Sequence, residues 1–414
     1  MIIFPAISGM LCNRFERCFI MDKKHIIDSV RRRYPNIKLL RQGFAKYRVK
    51  KVDALLLSED QIAAGEISST EKARLVQMYL NRNNKLARSS NKGIVELVQK
   101  IPSLTERSDW EELRTDILFC SFAYGFLAEE YMCFGFETKS PQERKEFVSD
   151  VMRYRYVYQM NDLTESQVFN NKGFTYEKFR KYFKRDAVYI RSQRDFAKFS
   201  SFVNAHPEFV SKAVYEGVGR GIELINLSGS RKTKSELFRD IIAKGPHLLE
   251  ERVQQNKVMA ALNASSVNTV RVITFNTRQG IEIPYTFMKI GRAGSFVDNG
   301  GAGGILVGID EKTGMLCTNG FDEMNRCYKT HPDSGVAFIG YQLPDWENLL
   351  TLSRKMSAQI PSVRYIGWDL AYTDQGWVVI EGNGKSQMIG PQIVFRRGIR
   401  AEVEALMNNM SLIV

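Results

Sequence analysis

The sequence predicts an α+β protein in which a mainly helical first part, residues 1–155, precedes two mixed lobes, 156–250 and 251–414. Three observations carry this reading. Helix-start signals and helical apolar spacing fill the chain to about residue 155. From about residue 160, short β-rich runs alternate with glycine-rich stretches. Near the C-terminus, two apolar runs flank the turn Thr373-Asp374-Gln375-Gly376 and read as a hairpin.

Composition sets the outer bounds. A chain of 414 residues, 44% hydrophobic and 11% aromatic, can bury a large core and is globular. It has no apolar run long enough to span a bilayer, and the apolar opening ten residues lack the basic flank of a secretory signal. Six scattered cysteines without a CxxC pair predict reduced thiols and a cytoplasmic setting, and four widely spaced histidines give no zinc pattern. The net charge of +13 is uneven: residues 1–50 hold twelve Lys/Arg against three Asp/Glu, and residues 101–150 hold five against eleven. Such a basic first segment suits an anionic substrate, a nucleic acid or the inner face of a membrane, and equally a solvated helix face.

Within the helical part, Arg31 to Arg33 close a short helix before Pro35, and Ser69-Thr70 cap a second. Ser108 and Glu111 are spaced as a capping box. The aromatic-rich stretch 113–134 that follows is apolar on nearly all sides, which predicts a single buried helix.

Beyond 160, Lys172 opens a helix and Lys212 sits mid-strand in Phe209 to Val214. Gly217, Gly219 and Gly221 then form either a loop whose amides approach phosphate closely or a plain flexible hairpin, and the stretch matches neither the P-loop nor the dinucleotide consensus. His247 to Val253 reads as a strand with a polar end, and Thr269 to Phe275 alternates so that Arg271 faces away from Val270 and Val272. The loop 291–304, with Arg292, Asp298, Asn299 and six glycines, has the composition of a segment that closes on a substrate. In the final hairpin, Asp369 lies opposite Glu381 and Asn383. That is either a hard-oxygen nest for Mg²⁺ or an ordinary hairpin with exposed acids.

The order of these parts resembles the ATP-grasp superfamily. More narrowly, Ser265 to Arg271, Gly291-Arg292 with Val297-Asp298-Asn299, His331 to Gly335, and Gly367-Trp368-Asp369 with Ile380 to Asn383 resemble the sugar-transfer-associated ATP-grasp family. The likeness spans about 160–395, and Glu130 to Phe134 in the helical part also fits. It implies an ATP-grasp fold, two α+β lobes clasping ATP, behind a helical N-terminal domain. ATP and Mg²⁺ are the implied cofactors. Lys172 and Lys212 would contact phosphates under the Gly217 to Gly221 loop. Glu250, Glu251 and Val253 would hold adenine through backbone groups. Asp369, Glu381 and Asn383 would ligate Mg²⁺, and Arg271 and Arg292 would neutralise the transferring phosphoryl group. Asp298 and Asn299 are implied substrate contacts, and His331 either orients substrate or serves as a turn former next to Pro332.

The implied activity is a carboxylate-amine ligase working through an acyl phosphate, with sugar-linked substrates of surface-polysaccharide synthesis among its partners. Such chemistry needs metal and cations at the phosphates and no dedicated nucleophile. It predicts no nucleic-acid partner and at most peripheral membrane contact. Two alternatives stay open: a phosphotransferase acting on a hydroxyl, which would keep the same nucleotide residues, and a basic nucleic-acid-binding protein, which would bind with strong salt dependence.

Overall fold

The computed structural model describes residues 38–58, 67–216, 221–228, 232–294 and 303–413. Arg31 to Arg33 and the rest of 1–37 lie outside them. The first part is helical: α1 (Lys38–Asp53), α2 (Ser69–Asn81), α3 (Lys85–Lys100), α4 (Trp110–Tyr124), α5 (Ala128–Cys133), α6 (Pro141–Lys145) and α7 (Asp150–Met160). Ser68, Asn84, Ser140 and Ser149 cap α2, α3, α6 and α7, each accepting an amide hydrogen bond from three residues on.

Three expectations for this part fail. Ser68, and not Ser69-Thr70, caps α2. The Ser108 and Glu111 capping box does not form: α4 starts at Trp110 behind Asp109, with no side-chain cap. Arg107 grips the Asp109 carboxylate with a two-pronged contact at 2.8 and 2.7 Å and also pairs with Glu137, so charge pairing rather than capping sets this corner. The single helix expected over 113–134 is two helices. Gly125, at φ 80°, ends α4 and donates to Ser121, and an added Cβ there would stand 2.8 Å from Val151 Cβ. The stretch is buried as expected, with Ile117, Leu118 and Phe122 fully enclosed and Phe122 stacked on Tyr79 at 4.1 Å.

A four-stranded antiparallel sheet follows, in the order β1-β4-β2-β3. Its strands are β1 (Ala187–Ile190), β2 (Glu208–Ala213), β3 (Ile222–Asn226) and β4 (His247–Glu251). Ahead of it stands α8 (Lys172–Phe183), and α9 (Phe196–Ala205) and α10 (Lys234–Ala243) pack on it around Phe199, Phe209, Phe238 and Leu249.

The second sheet has seven antiparallel strands in the order β11-β10-β5-β6-β7-β8-β9. They are β5 (Thr269–Thr277), β6 (Gly280–Ile290), β7 (Ile305–Ile309), β8 (Leu316–Phe321), β9 (Cys327–Tyr328), β10 (Tyr365–Thr373) and β11 (Gly376–Asn383), with short α11 (Lys257–Ala260) before β5. Both faces are covered, which explains the nearly continuous apolar strands. On one face Val270, Val272, Trp368 and Val379 pack with α8 and α12 (Trp346–Ser357). On the other, Ile273, Phe275, Tyr285 and Phe287 pack with the first helices, α13 (Ile389–Val394) and α14 (Arg400–Asn408). Trp368 is a packing residue, its indole N–H donating to Ser357 at 2.9 Å.

Arg185 ties the two sheets together. Its guanidinium donates to Glu250 of β4 and, at 2.7 Å, to the Val379 carbonyl of β11. Among the described residues, no helix is long and apolar enough to cross a membrane.

Candidate active site

The site starts from register. Asp369 on β10 pairs directly with Arg271 on β5 and with Glu381 on β11, and Gly367 pairs with Asn383. Directly opposed residues share a face, so the hairpin gathers Asp369, Glu381 and Asn383 on one side. A tight turn with Gly376 at φ 85° closes it.

Asp369 is 3% exposed. Arg271 holds it with a fork at 2.6 and 2.8 Å, and Lys289 on β6 stands 3.2 Å from it. Burial opposes its charge, yet Arg271 and Lys289 outweigh burial and keep the Asp369 carboxyl below its ordinary range. Gly367 makes this packing possible. A Cβ there would lie 2.2 Å from Ser386 Oγ and 3.2 Å from Arg271 Cδ, and Arg271 donates to that Ser386 hydroxyl at 3.0 Å.

Lys172 opens α8 behind the Asn171 cap, donates to the Glu216 carbonyl and lies 3.4 Å from Glu381. A cavity of about 410 Å³ brings Lys172, Arg271, Lys289, Asp369, Glu381 and Asn383 to one wall. That is the size of an ordinary small-ligand pocket.

The other predicted residues lie elsewhere. Lys212 is held at 3.0 Å by Glu250, which also takes Arg185, and neither Lys212 nor Glu250 lines the cavity. Burial lowers the Lys212 ammonium's pKa against the pull of Glu250, while Arg185 and Lys212 outweigh burial and hold the Glu250 carboxyl down. Glu251 exchanges backbone and side-chain hydrogen bonds with Asp186 at the end of β4, and Val253 follows two residues later, off the cavity wall. Gly221, at φ 65°, closes the β2-β3 turn, its carbonyl accepting from Ala213 at 2.8 Å. Gly217 and Gly219, like Asp298 and Asn299, lie outside the described residues.

Arg292 is bound to Asp333 at 2.9 Å and does not reach the cavity wall. His331 is fully buried: its Nε2 contacts the Gly291 carbonyl at 2.9 Å, and its Nδ1 accepts from the Asp333 and Ser334 amides. With one ring nitrogen on Gly291 and the other on its own turn, His331 pins the segment after β6, the arrangement of a turn-forming residue.

A sequence model of the sugar-transfer associated ATP-grasp family matches residues 151–408, well over half the chain. The chain belongs to this family. It has the ATP-grasp fold, behind a helical first part. No curated protein matches it. Among solved structures it is similar to the ATP-grasp ligase PsnB complexed with a phosphomimetic variant of minimal precursor, Mg and ADP, at 11% identity and TM-score 0.38, covering 64% of this chain and 68% of that one. D-alanyl-alanine synthetase A from Vibrio cholerae O1 biovar eltor str. N16961 shares 13% identity at TM-score 0.37, covering 59% of this chain and 66% of that one. N5-carboxyaminoimidazole ribonucleotide synthetase, as its ADP complex, shares 10% at TM-score 0.34, covering 54% of this chain and 47% of that one.

The ATP-grasp hairpin of this chain offers two carboxylates and one amide oxygen. Among the described residues no cluster of three or more His, Cys, Asp and Glu side chains is placed to hold a metal. An all-oxygen set that leaves positions to phosphate and water fits Mg²⁺ and does not fit a soft ion. Glu381, its side chain 35% exposed, and Asn383 offer oxygens to the cavity, and Asp369 adds a charge already balanced by Arg271 and Lys289.

Sequence reasoning missed two residues of this site, Lys289 and Ser386. The signal for Lys289 was present: an unshielded lysine between Met288 and Ile290 in an apolar strand needs a buried acid. Ser386 carries no such signal, because only the register of β10 brings it to Arg271.

Proposed function

We propose that this chain is an ATP- and Mg²⁺-dependent ligase that joins a carboxylate to an amine through an acyl phosphate. The observation that carries the reading is the registered row Arg271, Asp369 and Glu381, with Asn383 and Lys289, on one wall of one cavity. Membership in an ATP-grasp family supports ATP as the phosphoryl donor.

In this reading the substrate carboxylate oxygen attacks the γ-phosphorus and the bond to ADP breaks. The amine nitrogen then attacks the acyl carbon, phosphate leaves, and the amine proton passes to solvent. Glu381 and Asn383, with the charge of Asp369 beside them, would hold Mg²⁺, which would supply charge neutralisation at the phosphates. The chain's own cations do the rest: Arg271 and Lys289 face the charge that builds on the transferring group, and Lys172 reaches it from the start of α8. Lys212 and the end of β4 sit where the small sheet meets β11, which suits the nucleotide's other end.

The family's association with sugar transfer supports a sugar-bearing partner, in line with amide formation during surface-polysaccharide synthesis. The test is phosphate release from ATP with panels of carboxylates and amines. Amine-dependent turnover that falls about a hundredfold or more in Glu381→Gln supports the ligase. Turnover with no amine dependence points to the phosphotransferase instead.

A further inference from the structure

Strand β11 ends at Asn383, and the next three residues leave the sheet along the cavity wall. Beyond the ladder their carbonyls need other donors. Each has a side-chain donor: Asn161 donates to the Gly384 carbonyl at 2.7 Å, Arg153 to the Lys385 carbonyl at 2.6 Å, and the Tyr365 hydroxyl to the Ser386 carbonyl at 3.0 Å. All three donors are fully buried. Arg153 lies in α7 and Asn161 caps its C-terminus, so the last helix of the first part runs alongside this turn.

The turn carries parts of the site. Asn383 immediately precedes it, and the Ser386 hydroxyl that accepts from Arg271 at 3.0 Å belongs to it. Asn161 also accepts from the Tyr365 amide at 2.8 Å and donates to the Tyr365 carbonyl at 2.9 Å, so one side chain references both the turn and the strand that bears Asp369. Arg153 is held in turn by Asp150 at 2.8 Å, and the Asp150 amide donates to Glu130 at 2.8 Å. A buried ion pair is a poor device for docking a helix, because apolar side chains of similar volume serve stability as well or better. A planar fork that bridges a carboxylate and a carbonyl serves position.

We infer that Arg153, Asn161 and Tyr365 are positioning residues of the metal site. Through the carbonyls of 384–386 they hold Asn383 where the divalent ion needs its oxygen and Ser386 where Arg271 needs its hydroxyl. Helix α7 is then a working piece of the active site. The inference rests on the reading of Glu381 and Asn383 as Mg²⁺ ligands. Such ligands must stay within about 0.5 Å of their productive place, and losing an outer support costs about 10- to 100-fold in metal affinity or activity.

The test is calorimetric titration of ADP into the full chain at stepped Mg²⁺ concentrations, which reads how much Mg²⁺ half-maximal ADP affinity requires. Tyr365→Phe removes only the hydroxyl, and Arg153→Lys keeps a charge beside Asp150 without the fork that also reaches Lys385. Each should raise the Mg²⁺ requirement about tenfold or more. Tyr156→Phe is the control: on the same helix, its hydroxyl donates to Glu404 of α14, away from the turn. It should lower the unfolding temperature and leave the Mg²⁺ requirement as in wild type. A wild-type requirement in Tyr365→Phe or Arg153→Lys, or an equal rise in Tyr156→Phe, overturns the inference. If Arg153→Lys fails to fold, Tyr365→Phe decides. Wild-type ADP binding that needs no Mg²⁺ would sink the metal reading and this inference with it, whereas a Mg²⁺ requirement that the variants leave untouched sinks the inference alone.

Discussion

Arg271 and Asp369 face each other across neighbouring strands, and the guanidinium fork takes both carboxylate oxygens, at 2.6 and 2.8 Å. The pair is buried, so removing one partner strands the other. Arg271→Ala should cost about 3–5 kcal/mol of stability by urea unfolding, and it should lower ATP turnover about a hundredfold or more. Arg271→Lys keeps the charge without the fork and should fall between. Wild-type turnover in Arg271→Ala would contradict the role given to it.

Lys289→Met should separate stability from catalysis. Asp369 keeps Arg271, so the fold should lose only about 1 kcal/mol, whereas turnover should fall about a hundredfold. Steady-state kinetics beside thermal unfolding checks this, and a loss of stability without loss of turnover would make Lys289 purely structural.

Two buried acids contribute to the acid limit of stability. Burial works against charge on Asp369 and Glu250, but Arg271 with Lys289, and Arg185 with Lys212, outweigh it. Both carboxyls therefore fold below their ordinary values of 3.8 and 4.5. Such groups stabilise the fold fully above those values and lose their contribution as pH falls through the lower folded ones. Unfolding free energy should be flat near neutrality on their account and drop steeply below about pH 4. Glu250→Gln should flatten that drop, and an unchanged slope would exclude Glu250 as its source.

Gly125 should not tolerate a side chain. Its φ of 80° and the 2.8 Å approach of Val151 Cβ to an added Cβ predict that Gly125→Ala destabilises, by about 1–3 kcal/mol. A thermal scan showing no change would mean that the corner between α4 and α5 yields.

Much of this architecture could be read from the sequence because local patterns and tertiary needs agree. The alternation in β5 placed Arg271 opposite Val270 and Val272, and the turn at 373–376 placed Asp369 against Glu381. Where reading failed, a long-range partner had overridden a local signal. Arg107 took Asp109 and cancelled the capping box at Ser108, and Gly125 broke an apolar run that looks continuous. The family-like stretch Glu130 to Phe134 overlaps α5, but local pattern does not show that α3 and α5 close the cavity over the site, since sheet-to-helix docking depends on contacts distant in the chain.

The central claim is that Asp369, Glu381 and Asn383 hold a divalent ion against a nucleotide's phosphates. Calorimetric titration of ADP, with Mg²⁺ and with EDTA, into wild type and Glu381→Gln reads it most directly. The account predicts binding that requires Mg²⁺ and weakens about tenfold or more in the variant at unchanged thermal stability. Equal affinity in Mg²⁺ and EDTA, or in both proteins, would contradict it.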